Sequence, residues 1–363
     1  MLGRRDREPQ ALRKEATIVI CAYLLVVSGM KRGLRFVHAD YQECRSKRER
    51  DEIMAMELEG IHHITCITAD APGNVDFYAR VLGLRLVKKT VNQDDPTVYH
   101  LFYADEQGSA GSDITFFEYP GARRGRAGAG MVHRVIWRVA SEEALDFWQE
   151  RLGGEGVRTE RAEGSLRFVD PEGLELELLV WDGPDEPLVA RFPEIPEEHA
   201  LQGFHGVRAF AADVEPSRRL LEEGLGFARA GESEWEVRGE QRGSLYSYDE
   251  PPPEPGIPGA GTVHHVAWAS QMDEHEAWRQ RAAEAGARPT EVIDRFYFRS
   301  IYFREPSGVL FEIATLGPGF TSDEPLETLG ERLSLPPAFE HVRPQVEQVL
   351  TPITNPRVEP ARR

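Results

Sequence analysis

The chain is poor in several things, and each shortage excludes a class. Its 363 residues hold only three cysteines, Cys21, Cys44 and Cys66, with no CxxC motif and no paired spacing. A disulfide framework is therefore excluded, and a reducing cytoplasm is the expected compartment. Lysine is also scarce in the main body, although arginine and glutamate are plentiful. The net charge is −18, and beyond residue 55 the only lysines are Lys88 and Lys89. General nucleic-acid binding needs basic patches, so no nucleic-acid partner is expected. No apolar run is long enough to span a membrane; the longest candidate, Thr17–Val27, falls well short, and no membrane partner is expected. There is no glycine-rich phosphate loop and no GxSxG nucleophile turn.

What remains is ample for a core, since 40% of residues are hydrophobic. The length fits two domains or one domain built from repeats. Residues 1–55 read as an extension: locally basic, one apolar run, then the charged stretch Arg45–Glu52. Met30-Lys-Arg-Gly offers no signal-cleavage site, so the expectation is an over-long start, with the folded protein beginning near Met54 or Met56.

From Leu58 the chain falls into four similar units. The first opens with Gly60-Ile-His-His-Ile-Thr, followed by a helical spacing over Ala71–Val81 and three β-type runs, Leu84–Val91, Tyr99–Ala104 and Asp113–Tyr119. The second opens with Met131-Val-His-Arg-Val-Ile-Trp, the third with Gly203-Phe-His-Gly-Val, the fourth with Thr262-Val-His-His-Val-Ala-Trp. Each continues with a helix, with Ser141 a plausible cap in the second. The fold class expected is α+β, four βαβββ modules pairing into two curved-sheet barrels. In sequence order the pairs would be 56–190 and 200–316, with 317–363 a tail packing outside or on a partner subunit.

The repeat permits a comparison within the chain. Aligned on their apolar residues, the first strands carry His62, His133, His205 and His264 at one position. The next position holds His63, Arg134, Gly206 and His265. A residue present in all four units reads as architecture; one present only in units one and four is the better functional candidate. Strand neighbours face opposite ways, so one histidine of each pair looks into the cavity. The comparison selects His63 and His265. Glu312, in the last strand of unit four, is expected to lie beside His265. Two imidazoles and one carboxylate suit a divalent metal with open positions, the pattern of non-heme Fe(II) oxygenases. Glu118 stands as the unit-one counterpart of Glu312, either a fourth ligand or a surface residue.

The units resemble the vicinal oxygen chelate superfamily of glyoxalases, bleomycin-resistance proteins and extradiol dioxygenases. Gly60-Ile-His-His-Ile-Thr, Gly83-Leu-Arg-Leu-Val-Lys-Lys-Thr-Val-Asn and Arg299-Ser-Ile-Tyr-Phe-Arg-Glu-Pro-Ser-Gly-Val-Leu-Phe-Glu-Ile-Ala-Thr resemble the hydroquinone-type ring-cleaving dioxygenases. The resemblance implies an Fe(II) site, with Mn(II) the alternative metal, held by His63, His265 and Glu312. It also implies supporting roles for His62, Thr65, His264, Arg295 and Tyr302. Arg295 and Tyr302 have opposite parity, so a turn near Arg299 is required for both to face the ring. The implied reaction is extradiol-type cleavage of a hydroquinone-like or catechol-like diol, inserting both atoms of O2. Tyr302 or His264 would move protons and Arg295 would balance an anion. The partners are the small aromatic diol and O2, in an expected homo-oligomer. The alternatives are a glyoxalase-type isomerase or lyase using Glu118, and a non-catalytic small-molecule binding protein.

Overall fold

The computed structural model describes residues 56–358. The expectations for residues 1–55 lie outside the described residues. Each of the four units is a strand, a helix and three strands. Unit one comprises β1 (Ile61–Thr68), α1 (Ala71–Val75, continued as a π-type helix Asp76–Val81), β2 (Arg85–Asn92), β3 (Asp95–Ala104) and β4 (Asp113–Glu118). Unit two comprises β5 (Val132–Val139), α2 (Glu142–Gly154), β6 (Thr159–Ala162), β7 (Ser165–Val169) and β8 (Glu175–Val180). Unit three comprises β9 (Phe204–Phe210), α3 (Glu215–Arg218, continued as a π-type helix Arg219–Gly224), β10 (Ala228–Arg229), β11 (Glu234–Arg238) and β12 (Gly243–Asp249). Unit four comprises β13 (Thr262–Ser270), α4 (His275–Glu284), β14 (Ile293–Asp294), β15 (Phe298–Arg304) and β16 (Leu310–Pro318).

Local chemistry explains these boundaries. Ser141 accepts a hydrogen bond from Ala144 N and starts α2, which buries Ala144, Leu145, Trp148 and Leu152 on one face. Each first strand is entered through a glycine at positive φ: Gly60 at 83°, Gly130 at 76°, Gly203 at 87° and Gly261 at 78°. A side chain at these four places would be strained, so the same backbone entry recurs in every unit.

The strands form two eight-stranded sheets, ordered β14-β15-β16-β13-β1-β4-β3-β2 and β10-β11-β12-β9-β5-β8-β7-β6. The first joins units one and four, the second units two and three. Pairing in sequence order, 56–190 with itself and 200–316 with itself, is thus corrected. The two inter-unit links run side by side between the sheets, with bridges at Arg124–Ala260 and Arg126–Ile257. They carry unit two away from unit one and return unit four to it, where β13 pairs antiparallel with β1.

The two sheets pack through aromatic side chains. Tyr246 of β12 meets Trp268 of β13 and Phe311 of β16 at centroid distances of 5.9 and 5.1 Å. All three are 0% exposed, and burial of each such side chain is worth about 2 kcal/mol or more. The tail packs on unit one of its own chain. Lys88 on β2 is fully buried and donates to Asp323 (2.8 Å), Glu324 and the Phe320 carbonyl (3.1 Å). Arg343–Val349 forms the last helix, α5. Among the described residues no helix is long and apolar enough to cross a membrane.

Candidate metal centre and its cavity

β1 and β13 run side by side near the middle of the first sheet, with β16 next to β13. This topology brings His63, His265 and Glu312 to one spot. His63 Nε2 lies 3.3 Å from His265 Nε2, and Glu312 Oε2 lies 3.2 and 2.8 Å from those two nitrogens. All three side chains are buried. A triangle of that size is what three ligands about 2.1 Å from one ion make.

The hydrogen bonding fits a cation at that spot. Nothing but the two imidazole Nε2 atoms approaches the buried Glu312 Oε2. Its other oxygen, Oε1, accepts from Ser300 Oγ. Burial would raise the Glu312 carboxyl, but His63 and His265 hold it well below the usual carboxylate range. A charged oxygen with a free lone pair is thus aimed where two imidazole nitrogens converge.

The neighbouring histidines set the tautomers. His63 Nδ1 lies 2.9 Å from His62 Nδ1, and His265 Nδ1 lies 2.7 Å from His264 Nδ1. His62 Nε2 donates to the Thr315 carbonyl at 3.1 Å, so its Nδ1 accepts. The proton between the rings then belongs to His63 Nδ1, leaving Nε2 with a lone pair for a metal. Burial, with His63 adjacent, lowers His62 to about 3. His264 keeps an exposed edge, and desolvation of the rest of its ring, with His265 adjacent, lowers it.

A regular strand would turn His62 and His264 away from their neighbours' side. Neither strand is regular there. Ile61 pairs with Trp268 and His63 with Ala267, leaving His62 as an extra residue; Thr65 pairs with His265 and Cys66 with Val263, leaving His264 extra. The second sheet repeats this: His133 and His205 fall at the corresponding register shifts between β5 and β9. The histidine common to all four units marks a β-bulge.

Register also corrects the place given to Glu118. Glu312 lies opposite Ala267, two residues past His265. The equivalent residue in unit one, opposite Thr65, is Thr115. Glu118 sits three residues further along the strand, opposite Thr68, where its Oε1 accepts from Ala71 N at the start of α1. It is no neighbour of the three donors and offers them no fourth ligand.

The three donors lie at the base of a cavity of about 460 Å³ lined by residues including His100, Phe102, Phe117, Phe298, Arg295 and Tyr302. That volume suits a small ring. His264 also lines it, whereas His62 and Thr65 stand behind the wall. Thr65 Oγ1 bonds Thr115 Oγ1 at 2.8 Å, which bonds His100 Nε2 at 2.9 Å. Burial and the nearby His63 hold His100 well below the ordinary histidine range, so its ring is neutral. Arg295 reaches the cavity because the chain turns at Phe296, whose φ is 69°; the turn lies there and not near Arg299. Arg295 Nε donates to Tyr302 Oη at 3.3 Å. Burial and the Glu312 charge push the Tyr302 phenol well above its ordinary value.

Three lining or supporting residues escaped the sequence reading: His100, Asp94 and Ser300. For two of them a signal existed. His100 pairs with Phe117 two places beyond Thr115, as Ser300 pairs with Ala314 two places beyond Glu312. Extending the repeat alignment to the third strand of each unit would have found both.

The comparisons with known proteins agree with this architecture. The family model described as Glyoxalase/Bleomycin resistance protein/Dioxygenase superfamily matches residues 60–178 and 203–313. The chain is 43% identical over 307 residues to a Bacillus subtilis (strain 168) protein named "Putative ring-cleaving dioxygenase MhqO", covering 82% of this chain and 98% of the relative. It is 33% identical over 320 residues to a chlorohydroquinone/hydroquinone 1,2-dioxygenase of Sphingobium indicum, covering 80% and 95%. Among solved structures, a Bacillus subtilis protein titled a putative dioxygenase superposes with a TM-score of 0.77 at 41% identity, covering 83% of this chain and 99% of that one. Glyoxalase I from Zea mays superposes with a TM-score of 0.51 at 14% identity, covering 70% and 92%, a likeness of fold alone.

Proposed function

We propose, for a chain that belongs to the Glyoxalase/Bleomycin resistance protein/Dioxygenase superfamily, that it is a ring-cleaving dioxygenase acting on a hydroquinone-like or catechol-like aromatic diol. His63, His265 and Glu312 hold the metal, Fe(II), with Mn(II) the alternative. One observation carries the reading: three buried donor atoms converge with edges of 2.8–3.3 Å at the base of an aromatic-walled cavity. The relatives named as ring-cleaving and hydroquinone dioxygenases support it.

The ion, when bound, would supply open coordination positions and the one-electron chemistry that reaction of a diol with O2 requires. The chain supplies the rest. Glu312 and the two imidazoles fix the ion on the wall of the sheet. Phe102, Phe117 and Phe298 offer flat apolar faces to a ring and exclude water from it. Tyr302 keeps its proton, so it acts as a hydrogen-bond donor toward a ring oxygen, oriented by Arg295 Nε. His264, with Nδ1 accepting from His265, carries its proton on Nε2 and serves as a second donor beside the cavity. Arg295, whose outer nitrogens bond Asp94, serves by holding Tyr302 at the mouth of the cavity.

The test is anaerobic reconstitution with Fe(II), then oxygen uptake with substituted hydroquinones and catechols. Stoichiometric uptake with ring-opened product is expected. Absence of uptake with every diol, while iron stays bound, would overturn the reading.

A further inference from the structure

The first sheet is curled so far that its two edges meet. β2 and β14 are the outermost strands. The turn after β2 carries Gln93 and Asp94, and the turn after β14 carries Arg295. Gln93 Nε2 donates to the Arg295 carbonyl at 2.7 Å, and Arg295 Nη1 and Nη2 donate to Asp94 Oδ1 and Oδ2 at 3.1 and 3.0 Å. This latch closes over the cavity that holds the candidate metal centre, and Asp94 and Arg295 both line it.

The consequence concerns charge. Among the described residues lining the cavity, Arg295 is the only lysine or arginine. Its planar fork is the group best shaped to take a carboxylate or sulfonate in two parallel bonds. Here Asp94 takes one N–H from each outer nitrogen and Tyr302 takes the inner N–H, so neither two-bond edge of the fork is free. A ring bearing an anionic substituent would enter with no free cationic side chain to receive it, beside an aspartate and above Glu312. An anion desolvated without a partner is strongly disfavoured.

We propose that Asp94 is a specificity-determining residue: by occupying the fork of Arg295 it reserves the cavity for aromatic diols whose ring substituents are uncharged, and turns away rings carrying a carboxylate or sulfonate. The substrate class rests on the ring-cleavage reading above; the charge selection itself is a binding property of the chain. Asp94 is well suited to replacement, because its side chain is 73% exposed while that of Arg295 is 18% exposed. Asp94→Asn removes the charge and keeps the size.

The experiment measures binding to metal-free protein under anaerobic conditions by calorimetry, using 2,5-dihydroxybenzoate and methylhydroquinone. In Asp94→Asn the ratio of affinities should move at least tenfold toward the carboxylate, and the added change Arg295→Gln should abolish that gain. A ratio within twofold of wild type, no measurable carboxylate binding by Asp94→Asn, or a gain that survives the double change would each overturn the proposal. Oxygen uptake with methylhydroquinone on the iron-loaded protein is a separate arm. Failure there with the binding shift intact sinks ring cleavage and leaves the selection by Asp94 standing.

Discussion

His62 and His264 hold the same place in two β-bulges, each one residue before a histidine whose Nε2 faces the candidate centre, and each with its Nδ1 against that neighbour's Nδ1. An inserted residue would ordinarily weaken a sheet. Here it lets two successive imidazoles meet through their Nδ1 atoms, so that one can hold an ion and the other can fix its tautomer.

That relationship grades the expected losses. His265→Ala should abolish metal binding by the folded protein, because two donors remain. His62→Ala and His264→Ala keep all three donors but release the Nδ1 protons, and metal affinity should fall about 10- to 100-fold. Metal analysis after anaerobic loading, with circular dichroism as the control for folding, separates the three variants. Equal and complete retention of metal in His265→Ala would refute the ligand assignment.

The second sheet holds an internal control. Glu177 lies opposite Ile136, two places past Arg134, as Glu312 lies opposite Ala267, two places past His265. Arg134 Nη1 meets Glu177 Oε2 at 3.3 Å, so a guanidinium supplies the positive charge that an ion would supply in the first sheet. Arg134→Ala should destabilise the fold by only about 1 kcal/mol, since Arg167 Nε still meets Glu177 Oε2 at 3.3 Å. Denaturant unfolding would measure this, and metal content should not change.

Burial raises Asp170 to about 6 from an ordinary 3.8, although it accepts from Glu172 N, Gly173 N, Leu174 N and Tyr78 Oη. Its folded form therefore binds a proton more tightly than its unfolded form. Its contribution to stability is full below about pH 4, declines as pH rises to about 6, and is then flat. The span is at most about 3 kcal/mol. Asp170→Asn should flatten that part of the stability–pH curve, as followed by thermal unfolding between pH 4 and 7.

Lys88 ties the tail to the wall of the cavity. Its ammonium bonds Asp323 and Glu324, and Asp323 Oδ2 in turn accepts from Tyr297 Oη, with Tyr297 a lining residue. Lys88→Met leaves two carboxylates without their cation and should cost about 3–5 kcal/mol. Unfolding midpoints should fall, and methylhydroquinone affinity should fall with them if the tail holds Tyr297 in place.

Much of this was written in the sequence. The four units, their helices and the three converging donors follow from periodicity and from comparing one unit with the next. What stayed hidden depends on things a linear pattern does not carry. A bulge adds one residue and reverses side-chain parity, so His62 and His264 defied the alternation rule. Strand register decided between Glu118 and Thr115, and two glutamates near strand ends looked alike without it. The pairing of unit one with unit four joins strands far apart along the chain, which no local pattern records. Asp94 comes over Arg295 because the edges of one sheet meet, which no local motif announces.

His63 and His265 are 202 residues apart along the chain, and their strands are adjacent. No half-made molecule can own the centre, because a chain ending before the fourth unit carries one donor of three. Loop closure over that span is among the slowest contacts a domain makes. Any ion that the three donors hold should therefore be captured late, and a refolding chain should become able to bind metal only when units one and four have paired.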